Sequence, residues 1–243
     1  TKMIQRLIDH FDLLADAPNG VQELRKMILQ LAVQGKLVSQ DEMDEPASIL
    51  LTQIEAEKER LVQQGKSKKQ KPKPVDPNEI PHKIPASWQW TTLDLAGLVN
   101  PRNDAEDDLD AAFTPMSLVS TQYGQFPDFE IRRWGEVKKG FTHFAEGDIA
   151  CAKITPCFQN SKSAVFKGPP NGIGAGTTEL HVFRPVASTI LPEYVWLYFK
   201  SPHFLSKGES LMTGSAGQKR VPKSYVAENP FPLPPLTEQK RIV

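Results

Sequence analysis

Apolar residues recur every three or four positions through the first 65 residues, and this spacing predicts helices. Pro18, Asn19 and Gly20 separate the first stripe from the second, and Gly35 ends the second. A third helix is expected to begin with Asp44 as its cap and Pro46 in its first turn, and to end near Gly65. The stripes are Ile4, Leu7, Ile8, Phe11 and Leu14; then Val21, Leu24, Ile28, Leu31 and Ala32; then Ile49, Leu50, Ile54 and Leu61.

The pattern is lost over residues 66–86, where lysine and proline dominate and apolar residues are few. Prolines extend such a segment, so a linker is expected, either solvated or touching phosphates. The three helices before it have little within residues 1–65 to bury against. We expect them to pack on the rest of the molecule or on a partner.

From Trp88 the period changes to two, which predicts short β-strands separated by turns. Helical spacing returns in LPEYVWLYFKSPHFLSK, which predicts one late helix. The fold class is therefore α+β. The expected organisation is a helical segment at 1–65, a linker at 66–86, a mixed or antiparallel β-rich domain at 87–235, and the start of another helix at 236–243.

The last fourteen residues read PFPLPPLTEQKRIV. Proline cannot donate to a sheet ladder, so the first half suits an edge strand or a domain exit. Thr237 is expected to cap the following helix, with Glu238 in its first turn near the positive end of the dipole. The stretch reads as a stiff joint between a domain and a helix.

Charge refines this division. The chain is neutral overall, but residues 1–65 carry a net −4 and residues 66–86 a net +4. Five acids of the β-rich domain fall between residues 104 and 110. Without that loop, the rest of the domain has a net positive charge, which allows a basic face but does not require one.

Catalytic signals are weak. Cys151 and Cys157 do not have a zinc-site spacing and are expected to be free thiols of a reducing cytoplasm. NGIGAG at 171–176 precedes a strand rather than a helix, so a tight turn is favoured over a phosphate site. Asn229-Pro230-Phe231 matches a methyltransferase loop only in part, and no glycine-rich cofactor loop is found. His181 lies mid-strand, where a structural role is favoured.

Two polar stretches are better candidates, and both suggest DNA. The first is a turn between two strands. The second combines small residues with adjacent basic residues. Lysine suits phosphate or guanine, and asparagine or glutamine suits adenine. The alternative is that both are ordinary polar loops. The candidate DNA-binding residues are Lys153, Thr155, Gln159, Asn160 and Lys162 in the first stretch, and Gln218, Lys219 and Arg220 in the second.

Several runs together resemble the specificity (S) subunits of type I restriction–modification systems. They are LRKMILQLAVQGKLV, DEPASILLTQIEAEKERL, IPASWQWTTL, FAEGDIACAKITPCFQNSKSAVF, GAGTTELHVFRP, GSAGQKRVPKSYV and FPLPPLTEQKRIV, and the last is the most specific. They span nearly the whole chain.

The resemblance implies a target recognition domain that reads one half of a split DNA site and catalyses nothing. It implies docking to methylating (M) subunits through conserved helices, and a restriction (R) subunit in the larger complex. S-adenosylmethionine would belong to the M subunit, and this chain would need no cofactor. The expected partner-facing residues are Leu24, Ile28, Leu31, Ile54 and Leu61.

Only one recognition domain is expected in this sequence, so it reads either as a fragment, which we favour, or as a half-subunit that pairs with a second copy. A protein–protein adaptor that holds an enzyme without touching DNA is the main alternative. A self-contained methyltransferase is disfavoured by the missing cofactor loop.

Overall fold

The computed structural model describes residues 2–65, 73–186 and 188–243. Helices dominate both ends and strands the middle, which confirms the α+β class. The helices are α1 (Lys2–Asp9), α2 (Phe11–Ala15), α3 (Gly20–Val33), α4 (Ala47–Gln63), α5 (Leu93–Ala96), α6 (Trp134–Val137), α7 (Pro192–Phe199), α8 (Pro202–Ser210), α9 (Lys223–Glu228) and α10 (Leu236–Ile242). The strands are β1 (Gln89–Thr91), β2 (Gly97–Val99), β3 (Asp110–Thr114), β4 (Glu130–Arg133), β5 (Thr142–Ala145), β6 (Ile149–Ala152), β7 (Ser163–Val165), β8 (Ile173–Gly176), β9 (Leu180–Pro185) and β10 (Phe231–Leu233).

Three sheets form within the described residues. One is a four-stranded antiparallel sheet in the order β2-β9-β6-β7. Another, in the order β4-β3-β8-β5, is mixed, because β3 and β8 run parallel. The third pairs β1 with β10, where Trp90 lies opposite Pro232. The expected mixed or antiparallel domain is confirmed, and the proline-rich exit is an edge strand.

The main core joins the N-terminal helices to the β-rich region. Ala32 and Val33 of α3 and Ile54 of α4 are buried with Trp196 of α7 and Phe231 of β10. The prediction that the early helices pack on the rest of the molecule is therefore confirmed for α3 and α4. Gly35 ends α3 in the left-handed conformation (φ 68°), and the Lys36 amide returns to the Leu31 carbonyl.

Several local predictions need correction. The first stripe forms two helices, interrupted at His10; the side chains of Ile4, Leu7 and Leu14 lie outside the described residues. The late helix is two helices, because Ser201 and Pro202 break it: a residue before proline avoids the helical conformation. NGIGAG begins as the expected turn, but Ile173–Gly176 continues as β8.

The described part of the linker is not a free spacer. Residues 66–72 lie outside the described residues, and residues 73–86 run along the domain with one 3-10 turn at Pro77–Glu79. Lys73 pairs with Glu228 at 2.9 Å and Glu79 with Lys207 at 3.1 Å. Ile84 packs against the main core. Among the described residues, no helix has the length and apolarity to cross a bilayer.

Candidate nucleic-acid interface

The two polar stretches singled out in the sequence lie side by side. Loop A (residues 153–162) connects β6 to β7, and loop B (residues 213–220) precedes α9. The Thr155 amide donates to the Lys219 carbonyl at 2.9 Å, and the Val221 amide donates to the Lys153 carbonyl at 2.8 Å. These backbone bonds join the start of loop A to the end of loop B. The two loops contain four basic residues and no acid.

A third segment completes this arrangement. The Arg220 guanidinium donates to both carboxylate oxygens of Glu179, with contacts of 2.7 to 3.2 Å. Hydrogen bonds from Arg220 lower the pKa of Glu179, so the carboxylate is ionised at neutral pH. The Glu179 carbonyl also accepts from the Lys153 amide at 2.9 Å. Arg220 therefore fixes loop B and is not a free cation.

The other predicted residues of loop A differ in what they can contact. Gln159 is exposed but donates to Glu209 at 2.6 Å, and Asn160 is exposed. Lys162 turns inward and donates to the Met116 carbonyl at 2.8 Å. The Thr155 hydroxyl is buried, with no hydrogen-bond partner among the described residues. Only Asn160 is both exposed and without such an internal commitment.

Of the predicted residues of loop B, Gln218 and Lys219 are exposed. Lys153 is half-buried at the base of loop A. The outward-facing set is thus Asn160, Gln218 and Lys219, with Lys153 beneath it. Amides that can read a base edge lie next to cations that can neutralise phosphate, which is the chemistry that duplex DNA requires.

His181 and Cys151 lie beneath these loops and are structural. His181 Nε2 lies 3.0 Å from the Val221 carbonyl, and burial lowers the pKa of His181 to about 4, so the imidazole is neutral at neutral pH. Cys151 is buried in the main core, as expected of a small apolar side chain. Within the described ranges, no group of His, Cys, Asp or Glu is arranged to hold a metal ion.

Loop C (residues 120–126, STQYGQF) is a neighbouring segment that was not among the predicted site residues. Each of its residues from Thr121 to Phe126 is exposed. The Ser163 amide donates to the Ser120 carbonyl at 3.2 Å, which attaches loop C to the end of loop A. The available signal was the alternation of glutamine, aromatic residues and glycine between two β-rich runs.

At the exit of the domain, α10 is held by buried polar groups; we call these contacts the joint. Glu238 accepts from Trp88 Nε1 at 2.8 Å and from Gln40 Nε2 at 2.6 Å. Burial raises the pKa of Glu238. The Gln239 amide accepts from the Leu191 N–H at 2.8 Å and donates to the Thr189 and Pro234 carbonyls at 3.2 and 3.0 Å. Both side chains are fully buried.

The joint also corrects two predicted caps. Asp44 does not cap α4, whose cap position is Pro46. The Asp44 carboxylate instead pairs with Arg241 and accepts a hydrogen bond from the Thr237 hydroxyl. Thr237 does not cap α10, because the helix begins after Pro235. Both side chains instead bond to each other and join the segment before α4 to α10. This contact forms in place of the local caps. Hydrogen bonding to Arg241 lowers the pKa of Asp44.

Comparison with known proteins places this geometry in a family. A family model described as "Type I restriction modification DNA specificity domain" matches residues 91–243. The chain belongs to this family of DNA specificity domains. The match includes loops A, B and C and most of the joint.

Curated relatives extend this specificity family to the N-terminal helices. The chain is 58% identical to the "Type I restriction enzyme EcoAI specificity subunit" of Escherichia coli and 56% identical to the EcoEI specificity subunit of the same organism, each over 226 residues. Each alignment covers 92% of the chain but only 38% of the relative. The chain thus spans well under half of these curated relatives.

Solved structures agree on the fold of the specificity domain. The HsdS subunit of Thermoanaerobacter tengcongensis matches with a TM-score of 0.53 at 20% identity, over 68% of this chain and 42% of that one. A chain from a structure titled for complex assembly and conformational transition of the type I R-M system matches with a TM-score of 0.53 at 22% identity, over 67% of this chain and 42% of that one.

The residues predicted to face a partner fall into three groups: two are buried, two are half-buried and one is exposed. Leu31 and Ile54 are 5% and 1% exposed and belong to the chain's own core, so they cannot reach a partner while that core is intact. Leu61 is half-buried against the same core, and Leu24 is half-buried on α3. Ile28 is exposed, as are other apolar residues of α1 to α3: Ile8, Phe11, Leu13, Val21 and Met27.

Proposed function

We propose that this chain reads one half of a split DNA site for a type I restriction–modification enzyme. The observation that carries the proposal is the backbone pairing of loops A and B, which bear the exposed side chains of Asn160, Gln218 and Lys219. Membership of a family of DNA specificity domains supports the same function.

Each side chain of this surface has a distinct task. Asn160 and Gln218 can pair with the N6 and N7 edge of adenine in the major groove. Lys219 suits a phosphate, which fixes register without reading sequence. Arg220 acts indirectly, because its bidentate bond to Glu179 shapes loop B.

We infer that the chain itself is non-catalytic and acts in the cytoplasm with M subunits and an R subunit. S-adenosylmethionine would be bound by the M subunit, and this chain would bind no cofactor. The exposed apolar residues of α1 to α3 are the surface that would receive an M subunit, because an exposed apolar patch favours a protein partner. A second recognition domain, from the same protein or another copy, would read the other half-site.

The joint would transmit the position of the reader. A specificity protein must hold its M subunit at a fixed distance from the bases it reads, since methylation requires a flipped base. Buried, fully paired polar groups fix one geometry more strictly than apolar contacts do. Glu238, Gln239 and Asp44 would therefore set the direction in which α10 leaves the domain.

The test is a selection from random duplexes with the chain bound to its M subunit. The proposal predicts one preferred half-site, and predicts that Asn160→Ala relaxes the preference at a subset of its positions. Gln53→Ala, an exposed change on α4, serves as the control and should preserve the whole preference. Co-purification with an M subunit but no sequence preference would favour a protein–protein adaptor, and methylation by the chain alone would contradict the non-catalytic assignment.

A further inference from the structure

Loop C is an exposed polar segment with a defined conformation. The Ser120 hydroxyl donates to Gln125 Oε1 at 2.7 Å and accepts from the Gln122 amide at 3.0 Å. These bonds close the loop on itself. The side-chain amide of Gln122 remains exposed, with no hydrogen bond to any described residue.

The two rings of loop C anchor it from below. Tyr123 and Phe126 lie 5.0 and 5.6 Å, between ring centroids, from the fully buried indole of Trp196 in α7. The indole N–H of Trp196 donates to the Ser163 carbonyl at 2.9 Å, directly after loop A. One side chain of α7 therefore supports both loops.

Lys200 makes the same connection with a buried cation. It follows Trp196 by one helical turn and is 5% exposed. Its Nζ donates to the Thr121 carbonyl of loop C and the Ser161 carbonyl of loop A, each at 2.9 Å. A buried lysine is costly unless its donors are satisfied, so these two carbonyls are held where the ammonium needs them. The distance between loops A and C is thereby fixed.

We propose that loop C is a third DNA-reading segment, with Gln122 contacting a base and Lys200 positioning loop C against loop A. The inference rests on the proposed function and extends the reading surface beyond loops A and B. Gln122 supplies the same amide chemistry as Asn160 and Gln218, from a loop bonded to the end of loop A opposite the end that pairs with loop B. A free amide on a fixed backbone suits base reading better than phosphate binding, which a cation would serve.

The first test compares Gln122→Ala with wild type in duplex selection, with the chain bound to its M subunit. We expect the preference to flatten at one or two base pairs, by roughly tenfold each, and to persist elsewhere. Gln53→Ala on α4 is the matched control. A wild-type profile for Gln122→Ala, with an altered profile for Asn160→Ala, would overturn this inference and leave the proposed function standing. Absence of any preference in the wild type would overturn the proposed function itself.

The second test concerns Lys200 as a positioning residue. Lys200→Met is expected to flatten the positions read by both loop A and loop C, while the salt dependence of binding stays that of wild type, because Lys200 touches no phosphate. Lys200→Arg, which keeps the charge and the donors, should recover part of the preference. A folded Lys200→Met chain with the wild-type profile would overturn the positioning role. If Lys200→Met does not fold, the Gln122→Ala profile decides the inference.

Discussion

The joint and loops A and B use the same residue types in opposite ways. In the joint, Gln239 and Glu238 are fully buried, and each has several hydrogen-bond partners. In the loops, Gln218 and Asn160 point to solvent, while backbone bonds and the buried Lys200 hold the main chain.

The difference separates residues that fix the geometry of the chain from residues that are free to contact a ligand. Where polar side chains are buried and hydrogen-bonded within the protein, they fix one arrangement but cannot contact a ligand. Where the backbone is committed and the side chains are free, the surface can be changed without disturbing the fold. Under the proposed function, a domain that reads DNA at a fixed distance from an enzyme needs both kinds of region, and this chain keeps them in separate segments.

The largest effect on the free energy of unfolding is expected when Gln239 of the joint, compared with Gln218 of loop B, is replaced. Gln239→Ala leaves the Leu191 N–H and the Thr189 and Pro234 carbonyls without partners in a buried site, so the free energy of unfolding should fall by about 3 kcal/mol. Gln218→Ala should change it by less than about 0.5 kcal/mol. Urea denaturation measures both. Equal losses of stability would break the comparison.

The next effect is a pH dependence of Lys200. Burial lowers the pKa of Lys200 from 10.5 to about 7, so between these values the unfolded chain binds the proton more tightly than the folded chain. Wild-type stability should therefore rise relative to Lys200→Met between pH 7 and pH 9, by about 2 kcal/mol. Paired denaturation curves at the two pH values test this. A constant difference would show that Lys200 keeps an ordinary pKa.

A smaller effect is expected from Asp44→Asn in the joint. The change removes the ion pair with Arg241, which is partly exposed, so the cost should be about 1 kcal/mol at neutral pH. Because Arg241 lowers the pKa of Asp44, the wild-type advantage is present above the ordinary value of 3.8 and is lost as the pH falls through the lower folded value. A difference from wild type that does not shrink at all as the pH falls below 3.8 would contradict this assignment.

The smallest expected effect is that of Lys219→Ala in loop B, and it concerns the free energy of DNA binding. It should weaken binding to all duplexes alike and lower the slope of log affinity against log salt by about one. Lys139→Ala, an exposed change in the turn before β5, is the control. If Lys219→Ala changed the preferred sequence instead, Lys219 would be a base reader.

Local pattern was enough for the helix faces and the two candidate loops. The stripe through Val21 and Leu31 predicts α3, and the turn between two β-rich runs predicts loop A, because both depend on neighbours in sequence. The small residues of loop B predicted close approach to a nucleic-acid backbone, which stays a prediction; the pairing of loop B with loop A through Lys219 was not predicted. The family resemblance rested on runs of residues and was sufficient to give the fold.

Contacts between residues far apart in sequence could not be predicted from local pattern. Asp44 and Thr237 each resemble a helix cap locally, yet they pair across 193 residues, and Arg241 joins them. Leu31 and Ile54 resemble a partner face because an apolar stripe does not reveal what covers it. Lys200 reads as an ordinary helix residue, since its role depends on two carbonyls from distant loops.

The most direct test of the central claim is photo-crosslinking from position 160 in the DNA-bound complex with the M subunit. A photoreactive side chain at Asn160 should crosslink to bases within the selected half-site, and the same group at Gln53 should not. Crosslinks from both positions, or none from position 160 in a complex that still binds its site, would show that DNA does not lie across loops A and B.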